Sequence, residues 1–333
     1  MQNKENFLLD IKNLYVWYKM YGGYSKVLNG VNFNVRKGER VALVGEAGCG
    51  KTTMVKSILQ ILPPGDFHIP EGQIFYKGKD LLKASRSQIK KFRSKEASMM
   101  FQDPTAALNP VFTIGTQLGD VIKYSAYVRD NKINKKGIKE LAVKALKEVY
   151  LPDPERLLTN FPIQLSGGMK QRVCIAQAIA SPRNILIADE PGTSLDVTIQ
   201  DQVMRLLKEI SEKKQSSIIL ITHSLGVARD LSDRIFVMYA GTIVESAPFS
   251  DIFKNPIHPY TRGLLKSVPK ISGGGVTKGI LGSLPSYVNP PVGCRFHSRC
   301  EYAKQTCLEK QPQLIEIEKD HLVACHLQNR SIK

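Results

Sequence analysis

The segment Gly45–Thr52 reads GEAGCGKT, a G-x-x-x-x-G-K-T spacing set between an apolar run and a helix-forming run. Those residue types suit phosphate chemistry. Glycines let the backbone fold tightly enough for successive N–H groups to face one anion, and the following helix adds its positive end. Lys51 can reach the β- and γ-phosphates, and the Thr52 hydroxyl can ligand Mg²⁺. Gly45, Glu46, Ala47, Gly48, Cys49, Gly50 and Thr53 complete the cradle. A second chemical group stands at Ile185–Glu190 (ILIADE), an apolar strand ending in two carboxylates. Asp189 can hold Mg²⁺ there, and Glu190 can polarise an attacking water as general base. An ordinary glycine turn and an acidic strand end are the bland readings of the two segments. The strand–loop–helix context of the first argues against them.

Two further groups carry chemistry. Leu165–Ile175 (LSGGMKQRVCI) places a serine at a helix start, then two glycines, then a helix whose amides can face a phosphate; Ser166, Gly167, Gly168 and Met169 form this second anion site. Cys294, Cys300, Cys307 and Cys325 fall within the last 40 residues with the spacing C-x5-C-x6-C-x17-C, while Cys49 and Cys174 stand apart. Zinc sites usually show C-x2-C pairs, because one small ion needs four sulfurs close together. Four separated cysteines instead suit the corners of a larger four-iron cluster. Zinc and uncoordinated thiols stay open as alternatives. His297, His321 and His326 are alternative ligands that four cysteines make unnecessary.

The elements that position these groups follow from pattern. The first 35 residues are rich in β-formers (LLDIKNLYVWY, then VLNGVNFNV) with a turn at Gly22–Gly23, which predicts an N-terminal antiparallel β-subdomain. Arg40–Val44 is a buried strand, and a helix runs from Lys51 to Leu62, stopped by Pro63–Pro64. From about Pro104 to Asn160 the apolar spacing turns helical, and another helix follows Ser166. Ile185–Ala188, Ser217–Thr222 and Ile235–Tyr239 read as buried strands, so the fold class is α/β with a mainly parallel sheet and an inserted helical subdomain. Beyond about Pro248 proline, glycine and serine become frequent, Ile271–Lys278 reads as a linker, and a small cysteine-rich domain follows.

Length and charge set the outer bounds. A chain of 333 residues accommodates one large core and an appendage. No apolar run approaches the roughly 20 residues of a membrane span, and the start, MQNKENFLLD, lacks a signal-peptide core. The net charge of +17 suggests an anionic partner. Its clusters in Lys83–Lys95 and Lys132–Lys147 also fit solvated helical faces, and no nucleic-acid-binding module is present.

Taken together, GEAGCGKT, ILIADE and LSGGMKQR resemble the Walker A, Walker B and signature motifs of ABC ATPases. Gln102 in MMFQDP resembles the Q-loop glutamine that senses Mg²⁺, Ser194–Leu195–Asp196 the D-loop, and His223 in LITHS the switch histidine. The adenine-stacking aromatic falls on Tyr18, with Tyr21 and Tyr24 as rivals. QDPTAALNP and NPIHPYTRGLLKSVP resemble the ATPases of bacterial dipeptide, oligopeptide and nickel importers. That resemblance implies a P-loop ABC cassette over residues 1–250, with a helical subdomain inserted at about 103–165, and a C-terminal extension over 251–333 that carries a [4Fe–4S] cluster. It also implies ATP and Mg²⁺ as cofactors, with ATP sandwiched between Walker A of one cassette and the signature of another. The partners implied are two membrane-spanning permease subunits, a second identical or related ATPase subunit and, indirectly, a substrate-binding protein. The place implied is the cytoplasmic face of the membrane, as a peripheral subunit. A nucleic-acid-associated ABC ATPase is the rival from another class, against which one cassette and no long coiled coil speak. A catalytically silent module is a second rival, against which Glu190 and His223 speak. Departures from the family pattern are Ala47, Cys49 and Gly192, where serine or threonine is common; Cys49 suggests sensitivity of the ATPase to alkylation.

Overall fold

The computed structural model describes residues 7–128, 133–193, 196–267 and 279–331. The expected linker 271–278 and Ser194–Leu195 of the expected D-loop lie outside the described residues. The chain folds as two units, residues 1–83 with 221–333 and residues 84–220.

In the first unit, alternating apolar residues build an antiparallel hairpin of β1 (Leu9–Met20) and β2 (Gly23–Val35). Leu9, Ile11, Leu14 and Val16 on one strand and Leu28, Val31, Phe33 and Val35 on the other are buried; the alternation that a strand turns to its core is broken by a step of three at Ile11–Leu14 and at Leu28–Val31, where the register shifts. β3 (Arg40–Val44) is apolar and buried from Val41 onward and leads towards α1 (Lys51–Ile58). The helix predicted to reach Leu62 stops at Ile58. Gln60 adopts a left-handed φ of 54°, and the N–H groups of Gln60 and Ile61 reach back to the carbonyls of Ser57 and Lys56 at 3.1 and 3.0 Å, which closes the helix before the prolines act. β4 (Phe67–His68), β5 (Gln73–Tyr76) and β6 (Lys79–Asp80) complete a five-stranded antiparallel sheet in the order β2-β1-β5-β6, with β4 also on β1.

The second unit opens with α2 (Arg86–Lys95), whose cap Ser85 exchanges hydrogen bonds with Gln88. There follow β7 (Ala97–Met100), α3 (Pro104–Ala107), α4 (Ile114–Val128), α5 (Lys135–Glu148), α6 (Pro154–Leu157), α7 (Gly167–Ile179), β8 (Ile185–Asp189) and α8 (Val197–Lys214). The unit ends within β9 (Ser217–Thr222). β7 and β8 run parallel, from Ala97 opposite Ile185 to Met100 opposite Ala188, and β9 neighbours β8. Every residue of β8 and β9 is buried, which is why both read as unbroken apolar runs instead of alternating ones. The basic stretches behave as solvated faces: α2 buries Ile89 and Phe92, and α5 buries Ala142, Ala145 and Leu146 while its lysines face outward.

The chain returns to the first unit with α9 (Leu225–Leu231), β10 (Arg234–Tyr239), β11 (Thr242–Pro248), α10 (Phe249–Lys254), α11 (Pro259–Lys266), α12 (Gln305–Glu309), β12 (Ile315–Glu318) and β13 (His321–Val323). β10 pairs parallel with β3, and β11, β13 and β12 continue antiparallel beyond it. The extension therefore does not stand apart as the separate small domain expected from its composition. It adds two strands to the sheet that carries β3. A buried carboxylate fastens it: Glu245 of β11 accepts the N–H groups of Ile257 and His258 at 2.8 and 3.0 Å and lies 2.8 Å from His321 Nε2. An unpaired carboxylate at that depth would be costly.

Candidate active site

β3 delivers the chain to Gly45, where a Cβ would lie 2.2 Å from the Met238 carbonyl oxygen of β10, so only glycine lets the loop leave the sheet at this angle. Gly50, at φ 109°, turns the loop into α1, which starts without a side-chain cap. An anion is the natural partner for first-turn amides of that kind. Ala47 and Gly48 are exposed at the crest of the loop. Lys51 is buried, and its ammonium donates to the carbonyls of Gly45 and Glu46 at 2.8 and 3.0 Å. Thr52 and Thr53 follow in the first helical turn.

Cys49 corrects an expectation. Its sulfur lies 2.8 Å from where a Cβ on Gly45 would stand, and the side chain is fully buried. Burial, outweighing the nearby Lys51 ammonium, pushes its thiol above the ordinary range. A sheltered, protonated thiol is a poor target for alkylation. Among the three tyrosines, the Tyr18 hydroxyl lies 3.3 Å from Thr53 Oγ1, Tyr24 packs on Trp17 and His68, and Tyr21 is fully exposed. His223 is exposed just past β9; the turn around it is fixed by Ser224, whose N–H donates to Thr222 Oγ1 at 3.0 Å and whose hydroxyl caps α9.

In the second unit β8 ends in buried Asp189 and half-buried Glu190. Glu190 holds a left-handed φ of 46°, a conformation that a non-glycine residue keeps only when its surroundings impose it. Its Oε2 accepts from Gln102 Nε2 at 3.1 Å and from Thr193 Oγ1 at 3.0 Å. Two residues expected from separate motifs are thus joined directly. A Cβ on Gly192 would lie 2.6 Å from Gln200 Cγ, which accounts for glycine at that position. Ser166 caps α7 by accepting the Met169 N–H at 3.3 Å, with Gly167 and Gly168 in the first turn. Asp196 caps α8 by accepting the Ile199 N–H at 2.9 Å. Gln171, quoted in the sequence only as part of LSGGMKQR, gains a role the sequence did not show: fully buried on α7, it donates to the Pro191 carbonyl at 2.7 Å and ties that helix to the residue after Glu190. Thr193 was missed, although its place three residues beyond Glu190 was a usable signal.

In the extension, His258 of HPYT caps α11: its ring Nδ1 accepts the Tyr260 N–H at 3.1 Å. The four clustered cysteines are free thiols, Cys307 buried and the others half-buried. The Cys294 N–H donates to the Cys307 carbonyl at 2.7 Å, and Cys307 Sγ receives the Lys304 N–H at 3.5 Å. Burial pushes Cys294 up to about 11 and raises Cys300 and Cys325, and the charges of neighbouring thiols add to each rise. Among the described residues no three His, Cys, Asp or Glu side chains gather as around a single metal ion. The nearby histidines have other partners: His297 on the Cys294 carbonyl, His321 on Glu245 and His326 on the Lys310 carbonyl. Among the described residues no helix is long and apolar enough to cross a membrane.

Residues 28–193 match the family described as "ABC transporter", and residues 244–307 match "Oligopeptide/dipeptide transporter, C-terminal region". The dipeptide transport ATP-binding protein DppD of Bacillus subtilis is 43% identical over 324 residues, 97% of this chain and 95% of that protein. The oligopeptide transport ATP-binding protein OppD of the same organism is 42% identical over 318 residues, 95% of this chain and 87% of that protein. Among solved structures, a dimeric ATP-binding cassette in a post-hydrolysis state, bound to ADP and Pi, superposes with a TM-score of 0.64 at 27% identity, covering 72% of this chain and 98% of that one.

Proposed function

The chain belongs to the ATP-binding subunits of the dipeptide and oligopeptide ABC transporters, and from that membership we propose a motor that hydrolyses ATP to power peptide import. The fold is the P-loop ABC cassette, which we read as a cassette over 1–250 with a helical insertion at 103–165 and an extension over 251–333. The observation that carries the catalytic reading is Glu190, held in a left-handed backbone with its carboxylate fixed by Gln102 and Thr193. Glu190 takes a proton as water attacks the γ-phosphorus and the bond to the bridging oxygen breaks. Lys51 and the loop amides of Gly45–Thr53 neutralise and orient the phosphates, and Tyr18 flanks the adenine. Thr52 and Asp189, with Gln102, would hold Mg²⁺, which supplies further charge neutralisation on the phosphates. His223 contacts the γ-phosphate.

The subunit acts as a dimer of cassettes with two membrane-spanning permease subunits, peripheral at the cytoplasmic face. Ser166, Gly167, Gly168, Met169 and Asp196 face the nucleotide of the second, identical or related, subunit. Glu190→Gln keeps the shape of the side chain and removes the base. We expect ATP binding and ATP-dependent dimerisation to persist while turnover falls about 10²–10³-fold. Near-normal phosphate release by that variant would refute the assignment.

The finer reading concerns Cys294, Cys300, Cys307 and Cys325, to which we assign a [4Fe–4S] cluster. Supporting it is the placement of the four cysteines in one part of the extension, close enough for Cys294 to feel the charges of Cys300, Cys307 and Cys325. Cysteine thiolates are the ligands of iron–sulfur clusters. The group's contribution is structural, pinning the segment between α11 and β13 to the first unit. Anaerobically purified protein should carry about four irons and four sulfides per chain, the stoichiometry of such a cluster. One zinc and no sulfide would overturn this assignment and leave the ATPase untouched.

A further inference from the structure

We infer that Arg299 of the C-terminal extension is a positioning residue for the phosphate loop, acting through Glu46. The inference rests on the reading of Gly45–Thr52 as the ATP site. Three side chains of the extension grip the first half of that loop from outside. The Tyr260 hydroxyl accepts the Glu46 N–H at 3.0 Å, the Tyr287 hydroxyl donates to the Gly48 carbonyl at 2.8 Å, and Arg299 Nη1 donates to Glu46 Oε2 at 2.9 Å. The tyrosines fix the backbone at two points, and the arginine fixes the one charged side chain between them.

Arg299 is itself held rigidly. Its Nε donates to the Leu281 carbonyl at 2.8 Å and its Nη2 to the Ile280 carbonyl at 2.9 Å, and Nη1 lies 3.4 Å from the Tyr239 hydroxyl. Its side chain is 5% exposed against 28% for Glu46, so a fixed cation captures a more accessible carboxylate. An exposed pair such as Arg229–Asp230, with both partners more than half exposed, would count for little. Around a buried guanidinium water screens less, and the bond is correspondingly stronger.

The charge of Glu46 gives this bond its consequence for nucleotide binding. Glu46 is the second residue of a loop that must receive a triphosphate, and an uncompensated carboxylate there repels the incoming anion. Arg299 offsets that charge and holds the side chain toward the extension. Tyr260 engages the Glu46 amide in the same direction, so the amides left to face the phosphates are those later in the loop. ATP affinity is therefore set partly by a segment more than 200 residues downstream: Glu46 and Arg299 are 253 apart in sequence.

Equilibrium binding of the fluorescent analogue mant-ATP with Mg²⁺ to the full chain tests this, together with turnover at saturating ATP. Arg299→Gln should weaken binding about tenfold, the loss expected for one charge-assisted bond, and raise KM with kcat nearly unchanged. Glu46→Gln alone is the reference for the double variant, since the carboxylate that Arg299 offsets is gone from both. The double variant Glu46→Gln with Arg299→Gln should recover binding to within about threefold of it, because no charge is left to offset. Unaltered binding by Arg299→Gln would overturn the inference, and so would failure of Glu46→Gln to rescue it. Should Arg299→Gln not fold, Tyr260→Phe with Tyr287→Phe keeps both rings and removes only the two hydroxyls. Weaker binding by that pair would support the grip on the loop, and unchanged binding would overturn it. Absence of mant-ATP binding by the unaltered chain would instead strike the ATP-site reading, and the inference with it.

Discussion

Acid should unfasten α11 through His258. The ring is buried, its backbone N–H is held by the Glu245 carboxylate, and its Nδ1 must keep a free lone pair to accept the Tyr260 N–H. Burial first, and the Arg262 charge second, lower its pKa from 6.5 to about 3. In the unfolded chain the same ring titrates near its ordinary value, about 6.5. Between those two values the unfolded chain holds a proton that the native protein lacks. The contribution is thus complete above about pH 6.5 and is lost as the pH falls toward 3. At about 1.36 kcal/mol per pH unit, a drop from 6.5 to 5 removes about 2 kcal/mol, a large share of a typical net stability. Urea unfolding at pH 7.5 and 5.0 should show this loss in the unaltered chain. His258→Asn, which can still cap a helix but does not titrate, should lack it. A His258 ring resonance titrating near pH 6.5, or an equal pH dependence in the variant, would refute the reasoning. The effect should reach the nucleotide as well, since Tyr260 carries the α11 start to Glu46.

Three other outcomes follow from the geometry. Gln171→Leu keeps the volume but leaves the Pro191 carbonyl without its donor, so stability should fall by about 1–3 kcal/mol and turnover with it; a thermal midpoint equal to that of the unaltered chain would contradict this. Gly192→Ser should destabilise through its clash with Gln200, and Gln200→Ala in the same chain should restore the midpoint; a variant at position 192 that melts normally on its own would count against the close approach. In native, nucleotide-free protein, iodoacetamide should label Cys49 and Cys174 far more slowly than in urea, both thiols being raised by burial, Cys174 to about 12. Rapid native labelling of Cys49, read by mass spectrometry, would show that its side chain is not packed behind the loop.

The parts of the fold legible in the sequence were those that local chemistry writes locally. The centres of β3, β8, β9 and β10 are apolar runs because both faces are covered, and the phosphate loop opens on Gly45, whose absent Cβ the Met238 carbonyl of β10 requires. Capping residues such as Ser166 and Asp196 likewise sit where their side chains are used. Side-chain direction was not legible. Cys49 shares its spacing with serines that are common in such loops, and only the packing against Gly45 reveals that it turns inward. Contacts between separate segments left no trace either: Gln171 to Pro191 and Arg299 to Glu46 join residues unremarkable for their positions, and Gln102 and Glu190, each singled out by its own motif, gave no sign that they meet. Composition misled once. A Pro/Gly/Ser-rich stretch signalled a boundary, yet the chain beyond it returns to pair with β11.

That pairing bears on how the chain avoids its own copies. Without β13, the outer side of β11 would present unpaired N–H and C=O groups, a template on which another strand can align. Leu322 and Val323 fill that side opposite Ser246 and Glu245, and β12 becomes the outermost strand in its place. β12 spans only four residues, and two of them, Glu316 and Glu318, are exposed. A short strand studded with like charges is a poor seed for stacking. A chain cut before Ile315 would lose this seal and would also strip His321 from the buried Glu245. The last hairpin of the extension thus guards the sheet against aggregation, a service independent of whatever its cysteines hold.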